Sequence, residues 1–383
     1  MSFSDFKNRS ARIRENLRGW RTDRKIIVIE SDDWGSIRMP SVEVYNKSLK
    51  AGYPLDQTVY ERYDCILSQD DLELFFNLLT QFHDKNNNYP IITANCVVAN
   101  PDFEKIKEEE FQTYHYELIT ATFKKYPKHQ NNFKLWEEGF NKGIFFPQFH
   151  AREHLNVSLF MDALRRGNPD IHFAFNNQMS GNIRPSGEPK GNIYMEATRY
   201  YSPEDKKQKL AVILEGLDLF EKIFGYKSET IIPTNYIWSN EFNQDVLLKG
   251  VKALQGQRRM KEPLGNGVDK NHYHYLGQKS KYGQIYLIRN AIFEPSAMHK
   301  MGITDPVDKC LADISIAFRM NKPAIICSHR VNYAGFIDET NRDKSLKMLD
   351  QLLRKVLKRW PEIEFMSSSQ LADIISLNNN KLT

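Results

Sequence analysis

The sequence is poor in cysteine. Only Cys65, Cys96, Cys310 and Cys327 occur in 383 residues, widely spaced and without a CxxC pair. That pattern argues against a disulfide framework and for free buried thiols in a reducing compartment. Long apolar runs are missing too. No segment approaches the ~18 consecutive apolar residues of a membrane span. The opening stretch, MSFSDFKNRSARIRENLRGWRTDRK, is charged throughout and lacks the apolar centre of a secretory signal. The expected location is the cytoplasm, with no integral membrane segment. A charge excess is also lacking. Lys and Arg number 53 against 48 Asp and Glu, a net charge of +5, and no long basic block occurs. Nucleic acid is therefore not the expected partner. No internal repeat stands out.

What is present is enough apolar material for a large core, 41% hydrophobic and 12% aromatic. A chain of 383 residues exceeds one core of ordinary size but suits a large barrel, so residues 1–383 are expected to form one catalytic (β/α) barrel domain. Short β-branched or apolar runs recur: KIIVIES, YPIITANCVVAN, GIFFPQFH, IHFAFN, ETIIPTNY, VKALQ, IYLIRNAIF, KPAIICSH and IEFMSS. Helical stretches separate several of them, with Ser68 and Ser202 suited to N-caps and Gly225 to a C-terminal stop. Strands alternating with helices imply parallel pairing through crossovers, and seven or eight such units suggest a closed barrel. Residues 1–22 read as an N-terminal helix packed under the domain through Phe6, Ile13, Leu17 and Trp20. Insertions are expected near 102–142 and 256–284. The second is rich in Gly, Lys, Arg and His and reads equally as a substrate-covering loop or a solvated surface loop.

Chemistry in parallel barrels gathers at the C-terminal ends of strands. There this sequence carries Asp32-Asp33, His150, Asn235-Tyr236, Arg289-Asn290 and His329. The stretch IIVIESDDWGSIRMP runs a buried strand straight into two adjacent acids. Side by side they repel unless water, a cation or a proton intervenes. His150 and His154 in QFHAREHLN stand four apart, a spacing that puts two imidazoles on one face of a helical turn. They can share one cation, and an aspartate from a neighbouring strand end would complete a His₂Asp triad with positions left open. One member of the Asp32-Asp33 pair would then ligate while the other stays free as a base. Neighbouring strand residues point to opposite faces, so a bend permitted by Gly35 is expected to turn both inward.

These residues resemble the polysaccharide deacetylase (NodB-type) family of the glycoside hydrolase/deacetylase superfamily. SDDWG, HAREH, IPTNY and CSHR stand in the family's order, and the likeness covers about residues 24–376. It implies an α/β fold, a distorted (β/α) barrel of about seven parallel strands. It implies a divalent metal, zinc first and cobalt, nickel or manganese as alternatives, held by Asp33, His150 and His154. Asp32 would be the general base and His329 the general acid of a deacetylase that removes N-acetyl or O-acetyl groups from a saccharide. The tyrosine motif carries no arginine here, and the family's Asp/Trp-containing motif has no clear counterpart; RNAIFEPS is expected to stand in for that second motif, with Arg289 orienting Asp32 or Glu294 orienting His329. The backbone amide of Tyr236 is a candidate oxyanion donor. Trp34, Asn235, Tyr236, Trp238 and Arg330 are the candidate substrate-binding residues. The expected partner is a carbohydrate, with a nucleotide- or lipid-linked precursor suggested by the basic 256–284 loop. Two other readings stay open: a glycoside hydrolase using Asp33 with Glu294 or Glu153, and a non-catalytic carbohydrate-binding barrel.

Overall fold

Every ladder of the main sheet is parallel. The structure is a computed structural model that describes residues 3–181, 183, 193–298 and 301–379. Nine strands share that sheet: β1 (Ile26–Trp34), β2 (Ile92–Val97), β3 (Phe145–Ala151), β4 (Thr230–Ile231), β5 (Ala253–Gly256), β6 (Ile285–Ile288), β7 (Ala291–Ile292), β8 (Ala324–His329) and β9 (Glu364–Met366). Their order is β6-β5-β4-β3-β2-β1-β8-β7, with β9 pairing the first three residues of β1. The two ends of this path, β6 and β7, are separated in the chain only by Arg289 and Asn290. The Arg289 N–H donates to Gly256 of β5 and the Asn290 N–H to Ile325 of β8, so one stretch of chain links both edges. The result is a distorted (β/α) barrel. All nine residues of β1 are buried, as a strand covered on both faces requires.

The helix signals were read correctly where caps mark them. Ser68 and Asp71 form a reciprocal capping box at the head of Gln69–Leu79. Ser202 caps Pro203–Phe224, and Gly225 ends that helix at φ 78°. One strand assignment fails. IHFAFN belongs to the helix Pro169–Asn176, because Asn168 accepts from the N–H groups of Asp170 and Ile171 and Pro169 occupies the first turn. Cap chemistry overrides the apparent alternation there.

The N-terminal helix also departs from expectation. It spans Phe3–Asn16 and stops short of Trp20. Gly19 sits at φ 93°, where a Cβ would collide with the Leu276 carbonyl, and this close approach breaks the helix. Ile13 and Leu17 remain exposed, whereas Trp20, beyond the helix, packs against the core around Ile26, Leu276 and Ile375, so only part of the expected face packs on the barrel; the Phe6 side chain lies outside the described residues. Polar contacts fasten the helix instead. Asn16 accepts from Asn290, and Arg12 lies 3.4 Å from Asp313.

Residues 102–142 contribute helices Phe103–Glu108, Ile119–Lys125 and Asn132–Asn141, whose Ile119, Phe123 and Trp136 enter the main core. Residues 256–284 contain the hairpin Arg259–Pro263 with Asp269–Tyr273.

Candidate metal and acid–base site

The strand ends meet in a cavity of about 280 Å³. It is lined by Asp32 and Asp33 after β1, His150 and His154 at and after β3, Pro233, Asn235 and Tyr236 after β4, and His329 ending β8. Five more residues complete the wall: Arg38, Thr58, Tyr60, Glu61 and Met195.

The two acids face the same space because the strand is irregular there. The register between β1 and β2 shifts between Ser31 and Trp34, and Asp33 lies in the left-handed region at φ 74°. A non-glycine residue in that region costs energy that the surrounding contacts must hold in place. The bend therefore sits at Asp33 itself, with Gly35 at φ 84° continuing it.

The two carboxylates have different surroundings. Asp33 Oδ1 lies 3.4 Å from His150 Nε2 and 3.3 Å from His154 Nε2, and its Oδ2 lies 3.0 Å from Arg38. His150 Nδ1 donates to the Ile232 carbonyl at 2.8 Å, which fixes the ring with Nε2 toward Asp33. That Nε2 is buried without a hydrogen-bond partner, as is His154 Nδ1. Burial pushes the His154 imidazole well below its usual range, with Arg38 and His150 adding to it, so the ring stays neutral. Burial opposes the Asp33 charge, but Arg38 and the imidazoles outweigh it and hold the carboxyl well below its usual range. An ionised oxygen thus faces the neutral His154 ring and a His150 Nε2 that has no hydrogen-bond partner. Buried nitrogens without partners beside a carboxylate are unfavourable unless something, such as a cation, satisfies them. Ligand atoms of Asp33, His150 and His154 all fall within 4.8 Å of one another. Two imidazoles and a carboxylate are an ordinary donor set for zinc and other first-row divalent ions. The residues fit the ion that the sequence suggests.

Asp32 is fully engaged. Arg289 grips it bidentately, Nη2 to Oδ1 at 2.6 Å and Nη1 to Oδ2 at 2.7 Å, and Asn95 adds a bond to Oδ1 at 2.8 Å. Arg289 Nε reaches Glu30 at 2.6 Å, and Ser368 holds the other Glu30 oxygen. Burial raises Asp32, but Arg289 more than offsets it and the carboxyl falls to about 2. Across the cavity, His329 Nε2 lies 3.7 Å from Asp32 Oδ2, and His329 Nδ1 bonds Glu294 at 2.5 Å. Burial disfavours the imidazolium, but Glu294 and Asp32 prevail and hold it protonated well above the usual histidine range. Arg289 and Glu294 thus each contact the partner proposed for them. Cys327 also lies near Glu294 and His329, but Arg289 Nη1 stands 3.3 Å from its sulfur and puts a fixed positive charge there.

Several expected site residues lie elsewhere. Trp34 is 1% exposed, stacks among Phe75, Trp136 and Phe145, and donates to Ser31. It follows the left-handed Asp33, and the bend that turns both acids inward sends the ring into the core. Trp238 is likewise buried, against Phe242, and donates to Asn243. Arg330 is buried and bonds Asp64 at 2.8 Å, behind the cavity wall. Only Asn235 and Tyr236 of the substrate set line the cavity. The Tyr236 N–H donates to the Pro233 carbonyl, so it is not a free oxyanion donor. His150 is the penultimate residue of strand β3, and His154 lies in the turn after it. The helix starts only at Val157, so the i, i+4 spacing works through a strand end rather than a helical turn. Glu153 is taken by Arg152, and neither Glu153 nor Glu294 lines the cavity, so no carboxylate pair suited to glycosidic cleavage faces it through them. No residue of the 256–284 segment lines it either.

Arg38, Asp64 and Tyr60 were not singled out from the sequence. The wall segment between β1 and the Gln69 helix offered no regular pattern. Glu30 did leave a trace: a charge inside the apolar run KIIVIES needs a buried partner, and Arg289 with Ser368 supplies it.

No family model matches the chain, and no curated protein sequence matches it. Solved structures do resemble it. Puue allantoinase is 9% identical with a TM-score of 0.49, covering 94% of this chain and 92% of that one. A probable polysaccharide deacetylase from Pseudomonas aeruginosa PAO1 is 8% identical with a TM-score of 0.49, covering 93% and 94%. A 4-alpha-glucanotransferase from Thermococcus litoralis is 10% identical with a TM-score of 0.42; the match covers 92% of this chain and 40% of that one. At this distance function has to be read from the site itself.

Proposed function

We propose that the chain is a metal-dependent hydrolase in a single catalytic barrel domain, removing acetyl groups from nitrogen on a carbohydrate. The observation that carries this reading is the Asp33 oxygen set between the His150 and His154 imidazoles, with a separately held Asp32 and His329 facing it. Asp33, His150 and His154 would hold the ion, zinc by choice of donors. When bound, a divalent ion supplies Lewis acidity, making water a stronger acid and an amide carbonyl more electrophilic.

The chain's own groups do the rest. Asp32, held ionised by Arg289, accepts the proton of the attacking water. His329, kept protonated by Glu294, donates to the nitrogen as the C–N bond breaks. Glu30 and Asn95 fix Arg289 and Asp32, so the base does not swing. The products are acetate and a free amine.

Elemental analysis of purified protein tests the reading together with acetate release. About one divalent ion per chain is expected, with activity lost to a chelator and restored by zinc or cobalt. Turnover that survives complete metal removal would sink it.

A further inference from the structure

Accepting the hydrolase reading, the geometry points to a compact substrate, one acylated unit the size of a single N-acyl sugar, rather than an interior unit of a polymer. Two observations bear on this. First, the volume of about 280 Å³ is at the bottom of the ~300–1,000 Å³ span of small-ligand pockets. Its reacting end is closed: Asp32, Asp33, His150 and His154 are each at most 5% exposed. Among the described residues, the site meets solvent at Asn235, which is exposed, and at Thr58, Tyr60, Tyr236 and His329, which are half-buried.

Second, the wall on the His329 side is built to stay. Tyr60 stands edge-on to the His329 ring at 5.2 Å, its hydroxyl 3.3 Å from Nδ1. Its short helix, Val59–Arg62, is capped reciprocally, with Glu61 N–H donating to Thr58 Oγ1 and that hydroxyl donating to Glu61. Four residues on, Asp64 is fully buried, bonded to Arg330 and 3.0 Å from Arg38. A chain continuing past the reacting unit on this side would have to displace that anchored helix. The aromatics that would have tracked successive sugar rings, Trp34 and Trp238, are in the core.

The test compares kcat/KM for acetate release from a panel of N-acetylated and O-acetylated monosaccharides with that from the N-acetylglucosamine tetramer and amorphous chitin, using metal-replete enzyme. Turnover of at least one monosaccharide, with no deacetylation of interior tetramer units by mass spectrometry, is the expected result. Tyr60→Ala should raise the tetramer-to-monosaccharide ratio roughly tenfold, the discrimination that a single steric contact supplies. Interior deacetylation by the unaltered enzyme at a kcat/KM equal to the monosaccharide value overturns the size inference and leaves the hydrolase reading intact. Absence of acetate from every substrate overturns both.

Discussion

The two halves of the cavity are built on opposite plans. Around Asp33, His150 and His154, buried imidazole nitrogens lack hydrogen-bond partners. Around Asp32, Arg289, Glu30, Glu294 and His329, each charge has an opposite charge within hydrogen-bond reach. In the first half Arg38 answers the Asp33 charge, but the imidazole nitrogens find no partner in the chain. The second is self-sufficient and holds its protonation states by fixed neighbours. Adjacent residues in sequence, Asp32 and Asp33, thus enter different chemistry because their surroundings differ.

Breaking the first half should have the largest effect. His150→Ala is expected to abolish metal binding, read by elemental analysis, and to lower kcat/KM on the order of 10⁴-fold if the ion supplies several kcal/mol. Retained metal and activity would show that the half-site is merely a buried polar cluster. Asp32→Asn should cost about 10²–10³-fold in kcat while the metal content stays whole, which separates base from ligand. An equal loss of metal would merge the halves that the comparison keeps apart.

Glu294→Gln addresses the pH response. His329 titrates above its ordinary value of ~6.5 because Glu294 and Asp32 favour the imidazolium. If it donates the proton, activity falls as pH rises through that raised value. Removing the Glu294 charge lowers it, so the alkaline limb of kcat/KM should move to lower pH, with a loss of roughly tenfold at neutral pH. An unmoved limb would assign it to another group. Linkage has the same sign: the stability His329 gains from its partners is full below ~6.5 and is lost as pH rises through the raised value. Asp32 behaves oppositely, its contribution present above ~3.9 and lost as pH falls toward about 2.

The smallest effect is expected at Trp34→Phe. KM and kcat should be unchanged, with stability reduced by about 1–2 kcal/mol for the reshaped core and the lost bond to Ser31. A raised KM would return Trp34 to the substrate surface.

How much was legible follows from the kind of signal. Strand runs such as KPAIICSH and caps such as Ser68 are local, set by side-chain shape and by hydrogen bonds within a few residues. The strand-end acids and histidines were legible because a parallel barrel brings strand ends together whatever the loops do. Trp34 misled because its direction depends on φ at Asp33, which residue type does not dictate. Trp238 looked like a pocket aromatic only because it follows a strand end. Arg38 and Tyr60 escaped because the segment carrying them has no periodicity.

By itself the sequence determined the alternation of strands and helices, the parallel sheet and the set of polar residues at its C-terminal ends, since these depend on neighbours along the chain. Tertiary structure alone decided which way each of those groups faces, which acid meets Arg289 and which meets the imidazoles, and how narrow the mouth is. Those outcomes depend on contacts such as Arg289 with Asp32 and Asp64 with Arg330, between residues more than 250 positions apart, which only a folded chain brings within reach.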